Sequence, residues 1–576
     1  MDSRTAAHFL SQIGALLEVK GDHKFKARAY AGAARALIAL DTDDLGPLLR
    51  SGELAKTPGI GPATLSVVSE LVETGESSYL ASLQQGMPEG LSELMRVPGL
   101  GAAKIQVLHQ ALGVETVDDL ERVAQNGQLA ELPRFGTKTA ERILKGISVL
   151  RKNTHLERFP QAAVAAHMLL ANIVKHPHVT RADVAGSIRR HNEVVADIDI
   201  VAECSANPVD VAASFARAPG VKKATLGEEP GSVDIRFVDG THLDIHCVPR
   251  GDYAVALWRA TGSSAHVENM KELAKAKGLN FEGNSAFVKS KRIPLADEEA
   301  LFRALDLAWI PPEMREGMGE VEAAAAGKLP DLVVYDDLRG VLHCHTEYSD
   351  GTSSIADMAE GGRARGWSYI GISDHSESAF YAGGLKRDKI LRQHEEIDRL
   401  NEEFTDFRIL KGIEADILAD GRIDYDAETL DRFDYVIGSI HSRFSMDGDA
   451  MTKRVLAALD DHHLTILAHP TGRLLLSREP YAIDVEAVIE KAAEVNVALE
   501  LNADPHRLDL DWRYCRQAKA RGVTIEIGPD AHSQAALDNV HFGIGLARKA
   551  WLEAGEILNT RSADEVLAFA RKRRKA

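Results

Sequence analysis

At 576 residues with 45% apolar content the chain is long enough for several ordinary globular cores, and no run of 18 apolar residues marks a membrane span. The net charge of −18 excludes a generally basic nucleic-acid binder: residues 1–150 hold 15 Lys and Arg against 18 Asp and Glu, and residues 340–576 hold 30 against 41. MDSRTAAHFL lacks a charged-then-apolar leader and Cys204, Cys247, Cys344 and Cys515 form no CxxC pair, so a soluble cytoplasmic protein with reduced cysteines is expected.

Residues 1–80 are rich in Ala and Leu at helical spacing, as in Phe9-Leu10, Ile13 and Leu16-Leu17. Pro58-Gly59-Ile60-Gly61 then precedes a predicted helix over Ala63–Val72. A near copy, Pro98-Gly99-Leu100-Gly101, precedes Ala102–Leu112, and a degraded one, Pro133-Arg134-Phe135-Gly136, precedes Thr137–Leu150. The glycines allow close backbone approach, and the amides at each helix start form an anion site. One such turn is ordinarily a helix cap. Three in succession resemble the helix-hairpin-helix, which holds DNA phosphates without reading sequence. That resemblance makes Gly59, Gly61, Gly99 and Gly101 candidate DNA contacts.

Residues 155–250 alternate helical stretches with β-branched runs, and the densest motif is Gly186–Asp199, GSIRRHNEVVADID. A strand over Val194–Val201 puts Asp197 and Asp199 on one face, roughly 6–7 Å apart along the chain. Two such carboxylates repel unless a cation sits between them, and Mg²⁺ takes one or two carboxylates plus substrate phosphates. The Gly186-Ser187 turn offers amides and a hydroxyl to phosphate, and Arg189 and Arg190 add forked donors. A third acid, Asp244, lies in the strand-like Leu243-Asp244-Ile245. An Asp-x-Asp alone is usually a solvated face; with these neighbours it reads as a two-metal nucleotidyl-transfer site.

Over residues 1–318 the chain resembles the family X DNA polymerases, most specifically over Gly186–Ser263, where Thr261-Gly262-Ser263 completes the pattern. The resemblance implies that Asp197 and Asp199 hold Mg²⁺ or Mn²⁺ and that Asp244 helps activate a primer hydroxyl. It also implies that Gly186, Ser187, Arg190, Thr261 and Gly262 contact the incoming nucleotide. Its partners would be gapped or nicked DNA and deoxynucleoside triphosphates, with the protein a monomer and no membrane involved. By the same resemblance, 1–85 is a lyase-like helical domain, 86–154 a fingers-like hairpin domain, 155–254 the palm and 255–318 the thumb. Two departures stand out. Gly61–Val68 has no lyase lysine, leaving Lys20, Lys24 and Lys26 as substitutes, and Arg259-Ala260 replaces the usual aromatic pair before Thr-Gly.

Residues 319–338 are Ala-rich, end near Pro330 and read as a linker. From 339 onward seven apolar runs end in polar or metal-type residues: Val341–His345, Tyr369–His375, Ile409–Glu414, Val436–His441, Thr465–His469, Val497–Asn502 and Thr524–Ile527, the last leading to Asp530 and His532. Helical stretches separate them, so a parallel barrel is expected with its chemistry at the C-terminal strand ends. Imidazole plus carboxylate suits Zn, Mn or Fe, and the set is too large for one tetrahedral ion. His343, His345, Asp350, His375, Glu414, His441, His469, Asp530 and His532 together resemble the polymerase-and-histidinol-phosphatase (PHP) domain. That resemblance implies two or three Mn²⁺ or Zn²⁺ ions, with iron as a further option, Glu414 as a bridge, and metal-dependent 3′→5′ exonuclease activity. The expected fold class is multidomain α+β and α/β: helix-hairpin-helix domains, a nucleotidyltransferase palm and thumb, then a distorted seven-stranded (β/α)7 barrel. The alternatives are a metallophosphatase of small phosphoesters with a non-catalytic polymerase-like docking half, and a DNA-binding scaffold with both acidic sites dead.

Overall fold

The computed structural model describes residues 1–576 apart from 21–23, 41, 43, 85–89, 96, 98–99, 134 and 575–576, and gives the backbone alone for 4, 15, 18–20, 24, 39, 91–92 and 102–103. Gly99 and the side chains of Lys20 and Lys24 therefore lie outside the described residues, whereas Lys26 is exposed. The N-terminal region is helical, opening with Ser3–Lys20 and Lys24–Leu40. The helices after the three glycine turns are Pro62–Thr74, Ala102–Leu112 and Gly136–Asn153. Pro62 sits at the first helical turn, where its missing N–H costs nothing. Buried apolar residues from Ala6 to Leu150 form one continuous cluster, so the two expected N-terminal domains share a core.

The palm is a five-stranded sheet in the order 179–184, 198–204, 242–249, 232–237, 221–226. The pair 198–204 and 242–249 is parallel and places Asp199 opposite Asp244. The strand expected over Val194–Val201 is interrupted: Val194–Val195 pairs with Glu157–Arg158, and the palm strand starts only at Ile198, so Asp197 precedes the strand instead of alternating along it. Helix Tyr253–Thr261 bridges to the thumb, which adds helix Ser264–Ala276 and a three-stranded meander over 279–293.

The stretch read as a linker is packed. Glu320–Ala325 is a helix whose Val321 and Ala324 belong to the thumb core, and Val333 N–H donates to the Leu552 carbonyl at 3.0 Å. The barrel carries seven parallel strands in chain order: 340–341, 369–372, 408–416, 435–439, 464–467, 498–502 and 525–528. First and last strands meet beyond their ends, where His345 N–H donates to the Ala531 carbonyl at 2.8 Å. The C-terminal helix Ala563–Arg574 plugs the other end, packing Val566 and Phe569 in one cluster with Tyr369, Tyr435 and Ile466. Among the described residues no helix is long and apolar enough to cross a membrane. All four cysteines are buried and free.

Candidate active sites

The palm site is built where the parallel strands 198–204 and 242–249 lie side by side. Asp199 pairs in register with Asp244, and Asp244 with Asp234 on strand 232–237, so three carboxylates cross the sheet in a row. Burial first, then Asp197 and Asp244, push the Asp199 carboxyl up to about 7 against the pull of Arg190. Asp244 is raised as well, chiefly by burial. Such a set is uncomfortable as bare anions and suits a divalent cation; among the described residues the palm ligand atoms within reach of one ion are those of Asp234, His242 and Asp244, with Asp199 beside Asp244 in register, and the predicted trio Asp197, Asp199 and Asp244 is not drawn together as tightly. Gly186 has φ +61°, and a Cβ there would come 1.7 Å from Asp199 Oδ2, so only glycine admits the turn against that carboxylate. Ser187 Oγ is buried without a hydrogen-bond partner.

The two arginines are already engaged. Arg190 donates to Glu316 (2.9 Å) and to the Thr261 carbonyl (2.8 Å). Arg189 donates to Thr261 Oγ1 (2.8 Å) and pairs with buried Glu298 (2.6 Å), which also pairs with fully buried Arg315. The motif thus ties palm to thumb through Thr261, while Gly262 is fixed by close approach of the His266 ring. Trp258 is buried and donates to His266, and Arg259 pairs with Glu229, so neither presents an aromatic face to a sugar. Asp234 and His242, 2.5 Å apart, were not singled out from sequence. An acid at the same register one strand over was the only signal, and it needs the strand pairing to be seen.

At the barrel mouth the nine expected side chains converge. Glu414 is the hub: Oε1 lies 3.0 Å from His469 Nε2, 3.3 Å from His441 Nε2 and 3.6 Å from His343 Nε2. Its Oε2 lies 2.8 Å from His375 Nδ1 and 3.6 Å from His345 Nε2. Asp530 Oδ1 is 3.3 Å from His345 and 3.7 Å from His343, and Asp350 Oδ1 is 3.4 Å from His532 and 3.6 Å from His375. His469 (φ +27°) and Asp530 (φ +50°) adopt left-handed backbone that side chains rarely take, a strain that clusters at functional sites.

Electrostatics divide the ring. Burial works against ionised Glu414, yet His375, His441 and His343 hold it well below the usual carboxylate range. Burial, with His375 and His532 nearby, pushes His345 down to about 3, and burial with Arg507 does the same to His469. Against burial, Glu414 and Asp416 lift His441 to about 9. His343 Nε2, both nitrogens of His345, His375 Nδ1 and Glu414 Oε2 are buried with no hydrogen-bond partner. Imidazoles with orphaned nitrogens around buried carboxylates fit a cluster of transition-metal ions.

The structure adds outer carboxylates that sequence reading passed over. Glu500 accepts from His343 Nδ1, and Asp416 lies 2.7 Å from His441 Nδ1, each turning the opposite ring nitrogen inward as carboxylate–histidine–metal units require. Asn502 Nδ2 spans Glu500 (3.2 Å) and Asp530 (3.1 Å). Their signal was an acid and an amide inside an apolar run, Leu499-Glu500-Leu501-Asn502, on a strand buried throughout. Beside the mouth, Phe380 and Tyr381 are 85% and 61% exposed, with the Tyr381 ring 6.3 Å from His375 and from His441.

A carboxylate row on a palm sheet and a histidine-lined barrel mouth define a chain with two cation-dependent centres on separate modules. Known families match in that order: a helix-hairpin-helix domain at 1–77, a SAM-like helix-hairpin-helix tandem at 91–148, the DNA polymerase beta thumb at 256–316 and a PHP domain at 342–504. A Bacillus subtilis protein named DNA polymerase/3′-5′ exonuclease PolX is 37% identical over 99% of this chain and 100% of its own length. A probable phosphatase of Caldanaerobacter subterraneus is 28% identical over 41% of this chain and 94% of its own length. One from Clostridium acetobutylicum is 30% identical over 25% of this chain and 60% of its own. The chain belongs to the bacterial family X DNA polymerases that carry a C-terminal PHP domain.

Proposed function

We propose that this protein is a DNA repair enzyme that fills short gaps with its palm and removes 3′ nucleotides with its barrel. The observation that carries this reading is the full-length likeness to a polymerase/exonuclease, joined to a row of acids on the palm sheet and a histidine–carboxylate ring at the barrel mouth. In the palm, Asp197, Asp199 and Asp244 would hold Mg²⁺ or Mn²⁺. Ser187 and the amides of the Gly186 turn would receive the triphosphate, with Thr261 and Gly262 beneath the sugar. Arg190 would serve the nucleotide by fixing the turn against Thr261, since its guanidinium is already bound on two sides. In the barrel, the nine side chains would hold two or three ions, Mn²⁺ or Zn²⁺ by donor type, with Glu414 shared between ions. Bound divalent ions supply charge neutralisation at the attacking and leaving oxygens of a phosphodiester. Glu500 and Asp416 orient His343 and His441, and the barrel walls keep His343, His345, His375, Glu414, His469 and Asp530 buried.

Support for DNA as partner comes from the helix starts. Gly61 and Gly101 have φ −96° and −91°, which any residue adopts, and a Cβ on either would meet nothing within 4 Å. The fold does not require glycine there, whereas close approach of a phosphate to the helix amides does. A small-phosphoester metallophosphatase is disfavoured, because the polymerase half keeps its acids and its turn. One assay decides: extension and degradation of a primer on a gapped duplex, with Mg²⁺ and Mn²⁺ supplied separately. Extension and 3′ shortening by one purified chain is the expected result; shortening without extension under either metal overturns the polymerase half of the reading.

A further inference from the structure

A cleft of about 1070 Å³ lies between the second helix-hairpin-helix unit and the barrel. Its helical wall carries Gly101, Arg142 and Lys145, and its barrel wall carries Phe444, Gly472 and Arg478. The barrel wall is continuous with the metal-type site: Phe444 follows His441 by three residues, and Gly472 N–H donates to the His469 carbonyl at 2.9 Å. In a chain of net charge −18, Arg142, Lys145, Arg158 and Arg478 line this one space against a single acid, Glu479. Among the described residues no carboxylate lies within 4 Å of Arg142 or Lys145. Phe444 stacks on Tyr481 with ring centroids 6.1 Å apart, and the Arg478 guanidinium lies 4.3 Å from the Phe444 centroid.

Cations on two walls, with an aromatic–guanidinium stack on the barrel wall, form the pattern that holds unpaired nucleic acid: charge for the backbone, flat surfaces for the bases. The volume is only just above the roughly 300–1,000 Å³ of ordinary ligand pockets. It takes a few unpaired nucleotides and excludes a duplex. We propose that this cleft holds a single-stranded DNA segment and leads its 3′ end to the barrel site. The proposal rests on the nuclease reading of the barrel for its purpose, but not for its binding chemistry.

The test uses the full chain and two sets of substitutions on opposite walls, Arg142→Gln with Lys145→Gln, and Arg478→Gln. None of the three residues belongs to either candidate active site. Binding of a labelled oligo-dT is measured by anisotropy in EDTA across a salt series, so no metal or turnover is involved. Each set is expected to weaken binding several-fold, and the slope of log affinity against log salt is expected to fall by about 0.7 per cation removed. With Mn²⁺ added, both variants should lose 3′ shortening of DNA and still cleave bis(4-nitrophenyl) phosphate at the wild-type rate. Unchanged oligo-dT binding in either set overturns the cleft as a strand path. Lost ester cleavage would instead mark a damaged barrel, and then binding in EDTA decides alone. A wild-type chain that shortens no DNA sinks the nuclease reading, while the binding result still stands or falls by itself.

Discussion

At the scale of single residues, both centres rest on carboxylates that are costly to bury unless a cation answers them. Asp199 is squeezed between Asp197, Asp244 and the Gly186 backbone, and Glu414 is surrounded by five imidazoles. The two sites should therefore fail independently. Asp244→Asn is expected to lower nucleotide addition ~1000-fold or more, from several kcal/mol of lost charge stabilisation, with 3′ shortening unchanged. Glu414→Gln is expected to do the reverse and to lower the Mn²⁺ content of the desalted full chain by at least one ion, from two or more in wild type. Primer assays run beside metal analysis read both outcomes. Extension by Asp244→Asn at the wild-type rate, or an unaltered metal count in Glu414→Gln, removes the corresponding site from the reading.

At the scale of elements, the helix starts after Gly61 and Gly101 have a use that the fold leaves unexplained. Gly59 is different: its φ of +92° demands glycine for the turn itself. Gly61 and Gly101 are both helix N-caps, where valine is disfavoured, so a Gly61→Val, Gly101→Val double variant should still fold, with a stability loss of about 1–2 kcal/mol. Its affinity for gapped DNA should nonetheless drop by an order of magnitude, because the side chains bar phosphate from the helix amides. Denaturant titration and DNA binding measured on the same sample separate the two effects. Tight binding by the double variant would take these hairpins out of the DNA interface.

At the scale of the whole molecule, the polymerase half and the barrel form a packed junction. Lys549 of the barrel is buried and donates to the Arg190 carbonyl (3.1 Å), Asn192 (2.9 Å) and Glu316. Arg548 pairs with Glu313 at 2.7 Å, Arg473 with Glu193 at 3.3 Å, and Phe159 meets Phe542 edge-on. Lys549 thus touches the residue that also braces the palm turn, so the two centres share one support. Lys549→Met leaves Glu316 with Arg190 alone and should weaken the junction by on the order of 2–3 kcal/mol, below the full penalty of a broken buried pair. Limited proteolysis between residues 319 and 338 should then cut faster than in wild type, and nucleotide addition should fall with it. Equal cleavage rates would mean that the linker packing, not Lys549, holds the halves together.

Much of both sites was legible before any contact was known, for a local reason. The barrel donors end or closely follow apolar runs, and parallel strands in chain order bring such ends to one mouth, so His343, Glu414, His469 and Asp530 could be grouped by their place along the chain alone. The palm motif was readable because Gly186, Ser187, Asp197 and Asp199 lie close together along the chain, between residues 186 and 199. Asp234 was not, because register across a sheet is decided by strand pairing and leaves no trace in spacing. Glu500 and Asp416 were missed because a buried carboxylate and a solvated one look alike until the opposite face is known. The break before Ile198, the engagement of Arg190 by Glu316 and Thr261, and the insertion of Lys549 belong only to the tertiary structure. They depend on surfaces hundreds of residues apart meeting, which local alternation and turn chemistry do not encode.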